Sequence, residues 1–393
     1  MSQLNEYTPH SPASLVAEPA QLLADLVRID SVNPDLVPGG GGEAEIAGFI
    51  GTWLEEHGFE TTRLEQTPGR PSIVAIARGT GGGQNLMFNG HIDTVTLAGY
   101  EGDPLDPRIQ EGRMYGRGTY DMKAGLAAQM IAAATAAQEP HSGDIILALV
   151  ADEEFGSKGT AEVLEHFSAD AAIVSEPTND DLAVAHGGFV WFDVTIHGIA
   201  SHGSLPDKGI DAIVKAGPFL AAVGQLARRL SEGQAHDLIG PGSIHASLIT
   251  GGEELSSYPA ECRIALERRT VPGETADQAE EELREILNDL AVNDPDFRFS
   301  IDRTMERSPF EIPVDSAIAS LVSSACEAVT GRRPTVYGKR GWTDCALLQE
   351  AGIPAVLYGV AGGGAHSAIE WIEVSSLDRV TRTLAVVTAE FCR

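Results

Sequence analysis

Two periods of hydrophobicity run along this chain, and the places where one gives way to the other divide it into three stretches. Between residues 43 and 57 the apolar side chains Ile46, Phe49, Ile50, Trp53 and Leu54 recur at three- and four-residue spacing and Gly58 follows. That pattern predicts an amphipathic helix with a glycine stop. Downstream, short apolar runs at 72–77, 85–90, 144–150 and 171–175 alternate with helical stretches near 121–137 and 159–167. This is the pattern of an α/β domain with a mostly parallel central sheet flanked by helices. The runs are continuous rather than alternating, as expected of strands covered on both faces.

After His186-Gly187-Gly188 the period changes. Residues 190–197 alternate as a half-exposed strand, 209–230 read as a helix, 244–250 and 261–270 as strands, 276–290 as a helix and 297–302 as a last strand. The order β-α-β-β-α-β is that of a ferredoxin-like split βαβ unit. The first character resumes near Ser308, with a helix at 315–329, another from Asp344, a strand at 354–358 and a terminal helix from about Ser375. The expected architecture is a discontinuous larger domain, residues 1–186 and 305–393, with a small domain, 187–304, inserted into it.

A chain of 393 residues, 43% hydrophobic and 21% charged, is globular in composition and too long for one core, which agrees with that division. No stretch approaches the roughly 18 apolar residues of a membrane span, and the first thirty residues hold no apolar signal core, so the expectation is a soluble cytoplasmic protein. The four cysteines (Cys262, Cys326, Cys345, Cys392) are scattered without a C-x-x-C pair, so any metal must use histidine and carboxylate ligands. With 27 basic against 57 acidic residues the formal charge is −30, which repels nucleic acid and anionic lipid and favours small molecules or divalent cations as partners. Only five of the basic residues are lysines, and such a surface suits a high-salt cytoplasm. The glycine tracts at 39–42 and 81–83 lack the Lys-Ser/Thr of a phosphate-binding loop and read as ordinary loops.

Chemistry-bearing residues collect at the ends of the predicted strands. His91 and Asp93 end one, Asp152, Glu153 and Glu154 the next, Glu176 the third, and His366 follows the strand at 354–358 across a glycine-rich turn. Asp121, in Gly116-Arg117-Gly118-Thr119-Tyr120-Asp121-Met122-Lys123, is expected to start a helix at the same end. Each has an ordinary explanation by itself: Asp121 as a helix cap, Glu153-Glu154 as a solvated pair, Glu176 before Pro177 as a turn residue, His366 as a core histidine. Together they fall where an α/β sheet forms its ligand crevice. Two histidines and three or four carboxylates suit a pair of divalent ions such as zinc, one Asp bridging them, with room for a water.

These segments resemble the dinuclear zinc metallopeptidase and amidohydrolase family of acetylornithine deacetylase, succinyl-diaminopimelate desuccinylase, aminoacylase and glutamate carboxypeptidase. The resemblance rests on His91-Ile92-Asp93, Gly116 to Lys123, Glu153-Glu154, Ser175-Glu176-Pro177 and the turn Gly362 to His366, and it spans nearly the whole chain. It implies that Asp121 bridges two ions, zinc first and cobalt or manganese as substitutes, that His91 and Glu176 complete one site, and that Glu154 and His366 complete the other. It makes Glu153 the general base and acid and has Asp93 orient His91. The inserted domain is then a lid and homodimerisation surface, in which His202 stabilises the oxyanion in the partner's site. Arg269, in Glu267-Arg268-Arg269-Thr270-Val271-Pro272-Gly273, resembles the family's carboxylate-binding arginine, the alternative being one more solvated strand arginine like its neighbour Arg268. The implied activity is hydrolysis of an N-acyl amino acid. A carboxypeptidase or dipeptidase activity and a catalytically silent metal-binding protein are the alternatives. Ser256-Ser257-Tyr258-Pro259 and Ile369 before Glu370 depart from the family pattern at positions that bear on substrate choice.

Overall fold

Runs of aliphatic residues give strands with no exposed face in this protein: Ser72–Ala77, Leu86–His91, Ile145–Val150, Ala171–Val174 and Ala355–Tyr358 are buried along their whole length. The computed structural model describes residues 14–393, so the first thirteen positions of the expected larger domain lie outside the described residues. It contains two compact units. The first holds the described residues up to Val184 together with Ile312–Tyr337 and Thr343–Arg393, and the second holds Ala185–Glu311 with Gly338–Trp342.

In the first unit the sheet runs Glu60–Leu64, Ser72–Ala77, Ile145–Val150, Leu86–His91, Ala171–Val174, Ala355–Tyr358, Leu182–His186. The central pairings, Ile145–Val150 with Leu86–His91, Leu86–His91 with Ala171–Val174 and Ala171–Val174 with Ala355–Tyr358, are parallel. The flanking pairings are antiparallel, so the sheet is mixed and parallel only at its centre. Burial on both faces fixes the apolar content of a strand but not its direction, which is why the runs alone did not disclose the antiparallel flanks.

Helices cover this sheet. Ala124–Ala136 is buried at every position, an alanine-rich helix enclosed between the strands and the helices Val374–Phe391 and Pro19–Val27. Its Gly125 lies so close to the end of Ala171–Val174 that a Cβ there would stand 2.2 Å from the Ser175 carbonyl oxygen. The helix does not begin at Asp121 as expected. Residues Thr119–Lys123 form a single irregular turn in which Asp121 (φ −119°, ψ 96°) and Met122 (φ −129°, ψ 29°) are not helical, and the peptide between them is cis. Among the described residues no helix is long and apolar enough to cross a membrane.

The second unit is a four-stranded antiparallel sheet in the order Ser243–Gly251, Glu261–Thr270, Gly188–His197, Arg298–Arg307. The alternation of Gly188–His197 sends Val190, Phe192, Val194 and Ile196 into a core shared with Phe219 of helix Ala212–Glu232 and Leu283 and Leu287 of helix Ala276–Asn293. The last helix opens with a reciprocal capping box between Thr275 and Gln278. Strand Arg298–Arg307 continues beyond Asp302, where the sequence pattern places its end, because it pairs along nearly all of Gly188–His197.

Candidate metal centre

Parallel pairing brings three loop starts to one edge of the first unit's sheet. His91 is level with Val150 and Asn89 with Val174, so residues 92–94, 151–157 and 175–179 leave the sheet side by side. His366 arrives on the turn that follows Gly362–Gly363, in the left-handed region itself (φ 59°). Two residues earlier Gly364 takes φ +81° where any Cβ would overlap the Ile369 carbonyl oxygen, so glycine is required for this approach.

Two trios form around one shared carboxylate. His91 Nε2 lies 3.2 Å from Asp121 Oδ1 and 3.4 Å from Glu176 Oε1. His366 Nε2 lies 3.4 Å from Asp121 Oδ2 and 3.1 Å from Glu154 Oε2. Asp121 thus turns one oxygen to each trio, and within each trio the potential ligand atoms lie within 4.8 Å of one another. Ligands about 2.0–2.1 Å from a tetrahedral zinc stand roughly 3.3 Å apart, which these separations match. The trios differ in access, since the His91 side chain is 1% exposed and that of His366 54%.

The charges also call for cations. Five carboxylates, Asp93, Asp121, Glu153, Glu154 and Glu176, share this edge with two imidazoles. Burial, reinforced by Asp121, pushes Glu154 up to about 7 despite its bond to His366. Burial also drives Glu153 well above the usual carboxylate range, with the His91 charge opposing and Glu176, Asp344 and Glu154 adding to the rise. Hydrogen bonds to Asp121 and Glu154 lift His366 to about 10. For His91 burial works the other way, yet bonds to Asp121, Asp93 and Glu176 outweigh it and hold the ring well above the ordinary imidazole value. Positive charge is what the carboxylates lack, and a buried Glu154 oxygen, Oε1, has no hydrogen-bond partner. A pair of divalent cations supplies both needs, so the residues present fit such a pair.

The supporting contacts refine what each residue does. His91 Nδ1 lies 3.0 Å from the Asp93 carbonyl oxygen and 3.5 Å from its carboxylate, so the main chain of Asp93 is the nearer partner that turns Nε2 toward the trio. The Asp93 carboxylate accepts the backbone N–H groups of Glu153 and Glu154, both at 3.2 Å, and Asn33 Nδ2 at 2.7 Å. Asn33 also donates to Asp152 Oδ1 at 3.0 Å, and Arg70 joins that oxygen to Glu43. Sequence reasoning missed Asn33, Glu43 and Arg70. Their only local signal is Asn33-Pro34, a turn dipeptide, because their partners lie far along the chain.

The other two expected residues belong to the second unit. His202 is exposed on the short strand Ser201–His202, opposite Ser257, with Nδ1 2.7 Å from Ser204 Oγ. Arg269 keeps 41% of its side chain exposed, pairs with Glu267 at 3.1 Å and lies over the Phe189 ring. Arg268 is not the solvated neighbour expected: it is buried and held by Glu274 and Glu282, because its side of Glu261–Thr270 faces the helices.

A carboxylate shared by two histidine trios at one end of the sheet is a candidate site for a pair of metal ions. Residues 87–390 match peptidase family M20/M25/M40, and the chain belongs to that family, whose members are metal-dependent and hydrolyse amide or peptide bonds. It is 29% identical over 386 residues to succinyl-diaminopimelate desuccinylase 2 of Ruegeria sp. (strain TM1040), covering 93% of each chain. It is 28% identical over 383 residues to acetylornithine deacetylase of Myxococcus xanthus, covering 94% of this chain and 96% of the relative. In fold it is similar to the aminopeptidase PepT of Bacillus cereus (TM-score 0.80, 21% identity, 96% and 98% of the two chains). It also shares the fold of a Bacillus subtilis protein described as a dinuclear metal-binding peptidase (TM-score 0.70, 18% identity, 95% and 97%).

Proposed function

We propose that this enzyme removes the acyl group from an N-acyl amino acid, an N-succinyl or N-acetyl diamino acid being the leading substrate, with two zinc ions bound by His91, Asp121 and Glu176 and by Asp121, Glu154 and His366. The observation that carries the proposal is the shared Asp121, one oxygen to each histidine, with the Glu153 carboxyl beside the trios. The desuccinylase and deacetylase names of the two relatives point to the acyl substrate. Bound there, the cations acidify a water and polarise the amide carbonyl oxygen. Glu153 accepts the proton as the new carbon–oxygen bond forms and returns it to nitrogen as the carbon–nitrogen bond breaks, giving a carboxylate and a free amine. A carboxyl group held above its usual range is suited to carrying that proton in both directions.

In the second unit, Arg269 is proposed to receive the substrate carboxylate through two parallel N–H bonds. His202 is proposed to donate to the oxyanion. The same unit is the proposed homodimer surface. Its strand Ser243–Gly251 is a sheet edge with Leu248 and Ile249 exposed, and the exposed Ile213 reaches Gly251. The four cysteines are buried and none forms a disulfide among the described residues, as suits the proposed cytoplasmic setting.

Zinc- and cobalt-loaded enzyme assayed on N-succinyl and N-acetyl diamino acids beside dipeptides tests the substrate class; turnover of dipeptides alone refutes deacylation. Glu153→Ala is expected to keep both ions, measured by metal analysis, while kcat falls by about 10²–10⁴-fold. Undiminished turnover in that variant removes Glu153 from the mechanism.

A further inference from the structure

The Glu370 carboxylate is 1% exposed, touches neither histidine of the trios and is surrounded by four donors. Oε2 accepts from Arg117 Nη1 at 2.9 Å and the Gly118 N–H at 3.0 Å. Oε1 accepts the N–H groups of Tyr120 at 2.9 Å and Asp121 at 3.0 Å. Three consecutive-turn amides thus converge on one side chain, and the last belongs to the residue shared by the two trios. Arg117, itself 3% exposed, spends its remaining donors on the other site segments, with Nε to the Thr96 carbonyl and Nη2 to the Ser367 carbonyl, both at 3.0 Å. Tyr100 supports both partners: the guanidinium lies over its ring and its hydroxyl donates to the Glu370 carbonyl at 3.2 Å.

We infer that the buried Arg117–Glu370 pair is the positioning device of the metal centre, setting the Asp121 carboxylate and the His366 ring together. Glu370 grips the turn that ends in Asp121, and Arg117 grips the chain one residue after His366 and two residues after Thr94. The irregular turn is closed by the Lys123 N–H on the Gly118 carbonyl at 2.8 Å, a bond that spans Asp121, while the Asp121 N–H itself leaves the turn for Glu370, so an outside acceptor fixes the backbone at that residue. A carboxylate is needed because all four neighbours donate: in glutamine one end of the side chain becomes an amide nitrogen facing two N–H groups, whichever way it is flipped.

This inference rests on the proposal that the trios hold metal, and the test separates the two. ZnCl₂ is titrated calorimetrically into chelator-stripped full-length enzyme, wild type, Glu370→Gln and Glu370→Asp, below the melting temperature of each. Wild type is expected to take up two ions. Glu370→Gln is expected to bind the ion of the His366 trio about 10–100-fold more weakly, with kcat reduced and KM little changed, and Glu370→Asp, which keeps the charge, falls between. Two ions bound by Glu370→Gln with wild-type affinity, only its melting temperature being lower, overturns the inference and leaves the metal proposal standing. No uptake by wild type overturns the metal proposal itself. If Glu370→Gln does not fold, Arg117→Lys carries the test, since it keeps the charge opposite Glu370 but loses the fork to Thr96 and Ser367; unchanged zinc affinity there overturns the inference as well.

Discussion

Asp344 shows at the residue scale how burial near this centre is felt in stability. Its carboxylate is 2% exposed, accepts the Thr160 hydroxyl at 2.6 Å, and Thr160 in turn takes the Asn89 amide at 2.9 Å. Its second oxygen has no partner. Burial raises its pKa from 3.8 to about 6, the hydrogen bond from Thr160 pulling the other way. An acid whose folded value is raised contributes its full stability below the unfolded value and loses it as pH rises through the folded one. Asp344→Asn keeps an acceptor for Thr160 and removes the ionisation. Its melting temperature relative to wild type is therefore expected to climb between about pH 4 and pH 7 in metal-free enzyme; a difference that does not change with pH refutes the assignment. Single residues were the most legible part of this protein. His91, Glu154, Glu176 and His366 were candidates because strand ends converge by a general rule of α/β sheets, and it was the family resemblance that singled out Asp121 and set Glu154 apart from Asp152 and Glu153. Asn33, Glu370 and Asp344 were not, because what defines them is a partner 60 to 252 positions away in the chain.

At the scale of elements, periodicity located the described helices other than Pro19–Val27 and the long buried strands, but it passed over Leu182–His186, Val336–Lys339 and the two- and three-residue strands, and it did not supply direction and ends. The strand at 85–90 ends one residue later, on His91, so that the histidine is part of the sheet rather than of the loop. The helix expected from Asp121 begins at Ala124, since apolar spacing continues through a turn whose backbone is held from outside. The closeness of helix Ala124–Ala136 to Ser175 gives this element a specific tolerance. Gly125→Ala places a methyl 2.2 Å from the Ser175 carbonyl and must move the helix or the loop that carries Glu176. The expected cost is about 1–3 kcal/mol in urea unfolding, with zinc uptake weakened alongside. Gly48→Ala in helix Ala44–Glu56, where nothing stands within 4 Å of the new methyl, is the control and is expected to stabilise by about 0.4–1 kcal/mol.

For the whole molecule, the excess of 57 acidic over 27 basic residues outweighs any single ion pair. Much of the basic complement is already paired, as in the buried Arg70 with Glu43 and Asp152, which leaves the self-repulsion of the remaining carboxylates to be screened by solvent ions. The melting temperature is expected to rise steadily from dilute buffer to ~1 M KCl, where the screening length is about 3 Å; a flat salt profile removes the link between this composition and a saline interior. The unequal exposure of the two histidines has a kinetic consequence. If the trios hold the proposed ions, the buried His91 trio and the open His366 trio exchange them with solvent at different rates, so a chelator is expected to strip the enzyme in two phases with a half-loaded protein between them. Purification in the presence of a weak chelator is then expected to yield that species, with the ion proposed for the His91 trio kept and the one proposed for the His366 trio lost.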